Sequence, residues 1–597
     1  MSEENIPLRK DIPASDRWDL TALYADDREC KADLDEIPAL TEKLLSFKGH
    51  LADGPETLQE ALKVREAAYR PYERLLKYVD LLHRAGDDGA EWSDNDWTAV
   101  CECGDAVSFF DRELCAIADD KLQAWIQDKA FDDYRVYIQK TLHNKPHTLS
   151  EKEEEALQKD LQMKEDGVGR DYDSLMDEVD KELGTMHVDG KEQPLTRKNN
   201  FLNNPDRAVR KEAYSRIYAA YNFHADTLVA IYAGLVENDI SHIHALRYKS
   251  LLEAAFYPDN ISVSVYKNQV STVSANLAPL HKYYSIRKRA LGLDELHLYD
   301  MEMPLVPEPE SKTSYEEALE IVRSALAPLG TEYTGLLCGG LLGGWCDRYP
   351  NKDKETGATT YICYDGHPLI LLNYNMGDPR AVSDMAHECG HAMHDWYSAR
   401  SNPFLSYRFA DFESEVASTF NELLLFDYLM KNVKNNAMKK QILFQRVSFI
   451  RGHLYGITRD TEFELAAHEA GEAGKPLTAG SFRALSRGLM EKYYGPEMVL
   501  DEYVDIDGLT DNLLYQRAPF HAYRYAIGMV AALALAKKVT EGGPEEREAY
   551  LNFLKSGGSH FPLENLRSAG VDMETDEPFQ AACDTFRSLV DQLDALL

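Results

Sequence analysis

Cysteine pairs at metal-binding or redox spacing are missing from this 597-residue chain. Its nine cysteines are odd in number and scattered, and no C-x-x-C occurs. That excludes a disulfide framework and a cysteine-based zinc knuckle, and suits a reducing, cytoplasmic setting. Positive charge is also short: 65 Lys plus Arg stand against 101 Asp plus Glu, a formal net charge of −36. Such a surface repels nucleic acid and anionic lipid, so neither is expected as a partner. Long hydrophobic runs are lacking too. The longest near-continuous one, Ala526 to Ala536, is too short to span a bilayer. "MSEENIPLRKDIPASDRW" has no apolar core and reads as no secretory signal; "QLDALL" carries no lipidation pattern. Internal repeats and low-complexity tracts are absent.

What is present is helix. Apolar residues make up 44% of the chain, enough for a large core. "LQEALKVREAAYRPYERLLKYVDLLH" has three- and four-residue apolar spacing. Ser150 and Glu153 form a capping-box pattern, as do Ser314 and Glu317. Asp189-Gly190 and Pro194 break the helical pattern, which predicts a boundary near residue 190: a helical lobe over 1–190 and a second domain over 191–597. Pro304, Pro307 and Pro309 mark a loop. "LLCGGLLGGW" lacks a G-K-[ST] tail and reads as a turn between elements, not a phosphate loop. "TTYICYDGHPLILLNYN" is the one strong β signal, two arms around Asp365-Gly366. After residue 378 the pattern is helical again.

"MAHECGHAMHDW" carries the chemistry. Asp378-Pro379 suits a helix start, and Met385, Ala386, Cys389, Ala392 and Met393 form a wide apolar face. On such a helix His387 and His391 stand one turn apart on one side and can converge on one ion. Glu388 points about 100° away, badly placed to share the ion but within reach of a water. A catalytic metal needs a third ligand and an open position. The H-E-x-x-H-x-x-G-x-x-H scheme fails, because His394 and Tyr397 occupy the later positions. A glutamate from "DFESEVASTFNELLLFDYLM" is the alternative: Glu415 as third ligand, and Glu422, two turns on, as acceptor for a ligand histidine's other N–H. His394 reads as a structural histidine.

"HPLILLNYN", "MAHECGHAMHDWYSA", "FESEVASTFNELLL" and "YRYAIG" together resemble the oligoendopeptidase F group of zinc metallopeptidases, related to thimet oligopeptidase. The resemblance extends to "RWDLTALYADD", "PDRAVRKEAY", "YKSLLEAAFYPDNI" and "PLVPEP", nearly the whole chain. It implies a mainly α, two-lobed metallopeptidase with a deep central cleft and a small β-sheet beside the active site. It implies one Zn2+ per chain on His387, His391 and Glu415, with Glu388 as general base. It also implies that "HPLILLNYN" pairs with an extended peptide, with His367 as a candidate substrate contact. One stretch departs from the family pattern. In "NLLYQRAPFHAYRYAIGMV" the usual histidine position holds Tyr515, and His521 stands where a tyrosine is common. Tyr523 and Tyr525 match Y-x-Y-A-x-G; they and His521 are candidate oxyanion donors, and Tyr515 a candidate substrate contact. The expected activity is cleavage of internal bonds in short oligopeptides. A zinc carboxypeptidase or aminopeptidase, or a catalytically silent peptide-binding helical protein, are the alternatives. Oligomeric state is not readable.

Overall fold

Amphipathic spacing closes into helices along most of the chain. The computed structural model describes residues 6–87, 92–188, 190–306, 312–516 and 518–597. These gather into two compact units, each drawn from three segments. One comprises Met1–Glu151, Glu310–Leu429 and Ala531–Asp572; the other comprises Lys152–Pro309, Met430–Val530 and Met573–Leu597. Residue 190 falls inside the second unit, in a hairpin turn where Gly190 takes φ +74°. Asp189, Pro307 and Pro309 lie outside the described residues.

Seven short strands occur among the described residues. β1 (Thr185–Val188) and β2 (Lys191–Pro194) form the antiparallel hairpin; β3 (Leu296–His297) pairs in parallel with β7 (Met498–Val499). β4 (Cys346–Asp347), β5 (Thr359–Tyr361) and β6 (Leu369–Leu371) form one sheet in the order β4-β6-β5, β6 parallel to β4 and antiparallel to β5. The arms around Asp365-Gly366 therefore do pair, across a seven-residue connection wider than a tight hairpin. The strand in "HPLILLNYN" is β6, the middle strand. Both its edges are occupied, so it cannot take up a peptide, and that expectation is corrected. β5 is the edge strand beside it.

The sheet is pinned from below by charge. Asp347, fully buried, pairs with Arg9 at 2.6 Å and with Lys354 at 2.7 Å, and Lys354 also donates to the Leu372 carbonyl at 2.6 Å. "LLCGGLLGGW" departs from its reading. The run continues the helix Thr331–Leu342, and the turn comes only at Gly343–Gly344. A side chain at Gly340 would meet the Trp345 ring at 2.2 Å, which explains that glycine. The Ser314–Glu317 capping box is present: Glu317 N–H donates to Ser314 Oγ at 3.2 Å and Ser314 N–H to Glu317 Oε2 at 2.9 Å. No described helix is long and apolar enough to cross a membrane. All nine cysteines are free.

Candidate active site

Two helices of the first unit build the site. The histidine helix spans Ala381–Ser401 and the glutamate helix Asp411–Asn432. The former starts two residues after Pro379, because Asp378 folds into a local turn instead, its Oδ1 accepting from Arg380 N–H at 2.8 Å. Met385, Ala386, Cys389, Ala392 and Met393 are all at most 1% exposed, which sets which face turns inward. Gly390 lets the two helices touch. A Cβ there would stand 2.3 Å from the Ala417 carbonyl oxygen and 2.5 Å from Ser418 Cα. Asn421 Nδ2 donates to the Ala386 carbonyl at 3.1 Å across the same crossing.

This close crossing brings the three expected ligands together. His387 Nε2 and His391 Nε2 lie 3.2 Å apart, and Glu415 Oε2 is 3.5 Å from the first and 3.7 Å from the second. A tetrahedral zinc with arms of about 2.0–2.1 Å sets its ligand atoms roughly 3.3–3.4 Å apart. The three separations bracket that edge, so the donor set fits the ion. Glu422, 8% exposed, sits behind His387. His387 Nδ1 and Glu422 Oε2 are 3.2 Å apart, and Ser383 Oγ donates to Glu422 Oε1 at 2.9 Å. With Nδ1–H directed at Glu422, His387 Nε2 is left as the ligand atom. Ser418 Oγ donates to Glu415 Oε2 at 2.9 Å. Glu413, two residues before Glu415, turns away and accepts from Asn565 Nδ2 at 2.8 Å.

Electrostatics separate the members. Burial opposes charge on His387, but the bond to Glu422 and the charges of Glu422, Glu388 and Glu415 outweigh it and push the imidazole up to about 9. His391 goes the other way, down to about 4, through burial and the charge on His387. Glu388, 4% exposed, is pushed up to about 7 by burial, against the pull of His387 and Thr360. Thr360 was not singled out in the sequence. Its hydroxyl donates to Glu388 Oε2 at 2.6 Å and lies 3.1 Å from the Glu388 carbonyl. Only its place in the middle of β5, opposite the motif, reveals it.

The other candidates have surroundings of their own. His367 stacks on Trp345 at 5.9 Å and its Nδ1 lies 2.8 Å from the Pro368 carbonyl. Tyr515, 5% exposed, stacks on Tyr172 at 4.1 Å, and its hydroxyl donates to the Leu509 carbonyl at 3.0 Å, leaving no donor for a substrate. Tyr523 is 5% exposed with its ring 4.3 Å from Phe256. His521 and Tyr525 are half-buried, Tyr525 Oη lying 3.5 Å from His521 Nε2. His521, Tyr523 and Tyr525 belong to the second unit. His394 is fully buried, stacked parallel on Phe409 at 3.7 Å, and outside the ligand trio.

The profile of Peptidase family M3 matches residues 200–585, and that of Oligopeptidase F matches residues 113–163. The chain belongs to peptidase family M3. Members of family M3 are zinc metallopeptidases. The chain is 32% identical to oligopeptidase PepF of Bacillus subtilis, over 100% of this chain and 90% of that protein. A crystal structure described as a putative peptidase from Chlamydophila abortus superposes with a TM-score of 0.89 at 31% identity, covering 99% of this chain and 100% of the other. The crystal structure of oligoendopeptidase-F from Enterococcus faecium superposes at 0.70 with 25% identity, covering 96% and 99%. This M3 chain is thus a helical metallopeptidase with its His-His-Glu group assembled.

Proposed function

We propose that this M3 peptidase is a zinc-dependent endopeptidase that cleaves internal bonds of short oligopeptides, with one Zn2+ held by His387, His391 and Glu415. The observation that carries the reading is the convergence of those three ligand atoms within 4.8 Å of one another, with Glu388 on the same helix. Bound there, zinc supplies Lewis acidity toward water and the scissile carbonyl. Glu388 Oε is the base: it takes a proton as water attacks the carbonyl carbon and returns it to the leaving amine. Thr360 holds that carboxylate in one orientation. Glu422 keeps His387 in the tautomer with Nε2 forward. An extended peptide pairs with the edge strand β5, which brings its backbone past Thr360 and Glu388. For His521, Tyr523 and Tyr525, donation to the oxyanion rests on their match to the family's Y-x-Y-A-x-G pattern. The names of PepF and oligoendopeptidase-F support the oligopeptide substrate.

The test is a quenched peptide blocked at both ends, with metal content measured alongside. Purified protein is expected to carry one zinc, lose activity on chelation and regain it on readdition. Glu388→Gln should keep zinc and lose roughly 10²–10⁴-fold in kcat; His391→Ala should lose the metal. Near-full turnover by Glu388→Gln, or cutting only when a peptide terminus is free, overturns the assignment.

A further inference from the structure

Phe520 has a left-handed backbone, φ +58°, a conformation that bulky side chains rarely adopt. It lies in the turn Ala518-Pro519-Phe520-His521, closed by His521 N–H donating to the Ala518 carbonyl at 3.1 Å. Proline second and a positive φ third is the pattern of a type II turn, where glycine normally takes the third place. Two contacts hold the phenylalanine there. Its ring is fully buried, edge-on to Tyr266 at 5.9 Å and tilted on His468 at 5.8 Å. Its N–H donates to Glu464 Oε1 at 2.6 Å. Glu464, 6% exposed, belongs to the helix Ile457–Glu472 of the same unit. One turn on, His468 fixes that helix against its neighbour Ala225–Ala245. Its Nε2 is 3.2 Å from Asp239 Oδ2 and its Nδ1 is 2.8 Å from the Glu464 carbonyl.

A carboxylate this buried, facing a strained peptide N–H, is an expensive arrangement for one turn. The chain just beyond the turn gives it a purpose. His521 is the next residue, and the helix Tyr523–Glu541 starts two residues later. The angle at Phe520 therefore decides where His521, Tyr523 and Tyr525 point. We propose that Glu464 is a positioning residue for peptide hydrolysis: its carboxylate locks the Phe520 turn and so orients the His521–Tyr525 segment toward substrate. This rests on the proposed role of that segment as oxyanion donor. The groups that face Glu464 are His468, Asp239, Asp511, Tyr232 and Tyr266, together with the Phe520 amide. Burial pushes Glu464 up to about 7, and the charge on His468 and the Phe520 N–H oppose it.

The experiment uses the full-length zinc-loaded protein with the quenched peptide, comparing Glu464→Leu with Glu464→Gln. Gln keeps an oxygen acceptor for the Phe520 amide, whereas Leu keeps only bulk. Glu464→Leu is expected to lower kcat at least tenfold, with KM and zinc content within twofold of wild type. Glu464→Gln is expected to restore most of that kcat at neutral pH. Hydrogen exchange should speed up at residues 518–525 in the Leu variant, with the histidine helix unchanged. Glu464→Leu turning over like wild type, or Gln failing as badly as Leu with exchange unchanged at 518–525, overturns the positioning role. A wild-type protein that cleaves no blocked peptide overturns the proposed activity instead, so the two failures are separable.

Discussion

The two halves of the histidine helix treat the same kinds of side chain in opposite ways. In the first half, His387, Glu388 and His391 meet polar partners from β5 or the glutamate helix: Thr360 on Glu388, Glu422 on His387, Glu415 between both histidines. One turn later His394 is fully buried with neither ring nitrogen hydrogen-bonded, and its neighbour Asp395 is 8% exposed. Burial pushes His394 down to about 3, helped by the charge on His391. It pushes Asp395 up to about 8, against Arg408 and Lys77. Both are neutral near pH 7. A histidine becomes a metal ligand through the carboxylates ranged against it, and three histidines on one helix do not make three ligands.

The largest effect should come from forcing the first half away from its partners. Gly390→Ala would place a methyl group 2.3 Å from the Ala417 carbonyl oxygen, backbone that cannot swing aside. The glutamate helix must shift, and Glu415 leaves the histidine pair. The expected result is zinc occupancy well below one, hydrolysis down more than a hundredfold, and stability lower by about 1–3 kcal/mol from overpacking. Metal analysis and thermal unfolding read this out. Full zinc occupancy in the variant would mean that partner proximity does not distinguish the two halves.

Much of this contrast is legible in the sequence, and the illegible part has a physical cause. His387 and His391 on one side of a helix, and Glu415 and Glu422 on the polar stripe of another, follow from helical spacing together with the need of a metal for a third ligand. The predominance of helix is legible for the same reason. Thr360 is not, since its partner is 28 residues away and only sheet packing joins them. Gly390 looks like a filler in H-E-x-x-H until the second helix is laid against it. The order β4-β6-β5 escapes as well: a hairpin signal shows that two arms pair, but not that β4 covers the second arm from the far side. The two units interleave three segments each, and local composition cannot reveal which segments share a core.

A smaller effect separates the halves by pH. The Asp395 carboxyl, at about 8 in the fold, stands near 3.9 when unfolded. A folded value above the unfolded one gives stability that is complete below about pH 4 and is lost as pH rises through about 8. Asp395→Asn has no proton to lose there. Its stability relative to wild type should therefore climb between pH 5 and 8, by up to about 1 kcal/mol per pH unit. Paired thermal melts across that range test it. A flat difference would show Asp395 charged in the fold, and thus partnered like the acids of the first half.

The smallest effect on zinc and turnover is expected at His394. A buried donor or acceptor without a partner costs about 1–3 kcal/mol. His394→Phe removes two such atoms and keeps an aromatic face on Phe409, where the present stack is parallel at 3.7 Å. The phenyl ring is larger, and overpacking returns about 1–3 kcal/mol of the gain. The two terms oppose, about 2–6 kcal/mol for the two atoms against about 1–3 kcal/mol for overpacking, so stability should hold or rise. Zinc occupancy and kcat should stay within twofold, because His394 lies outside the group of His387, His391 and Glu415. The same exchange at His391 would remove a ligand and its metal. If His394→Phe lost zinc or most of its turnover, the third histidine would belong with the first two, and the boundary between the halves would have to move a full turn along the helix.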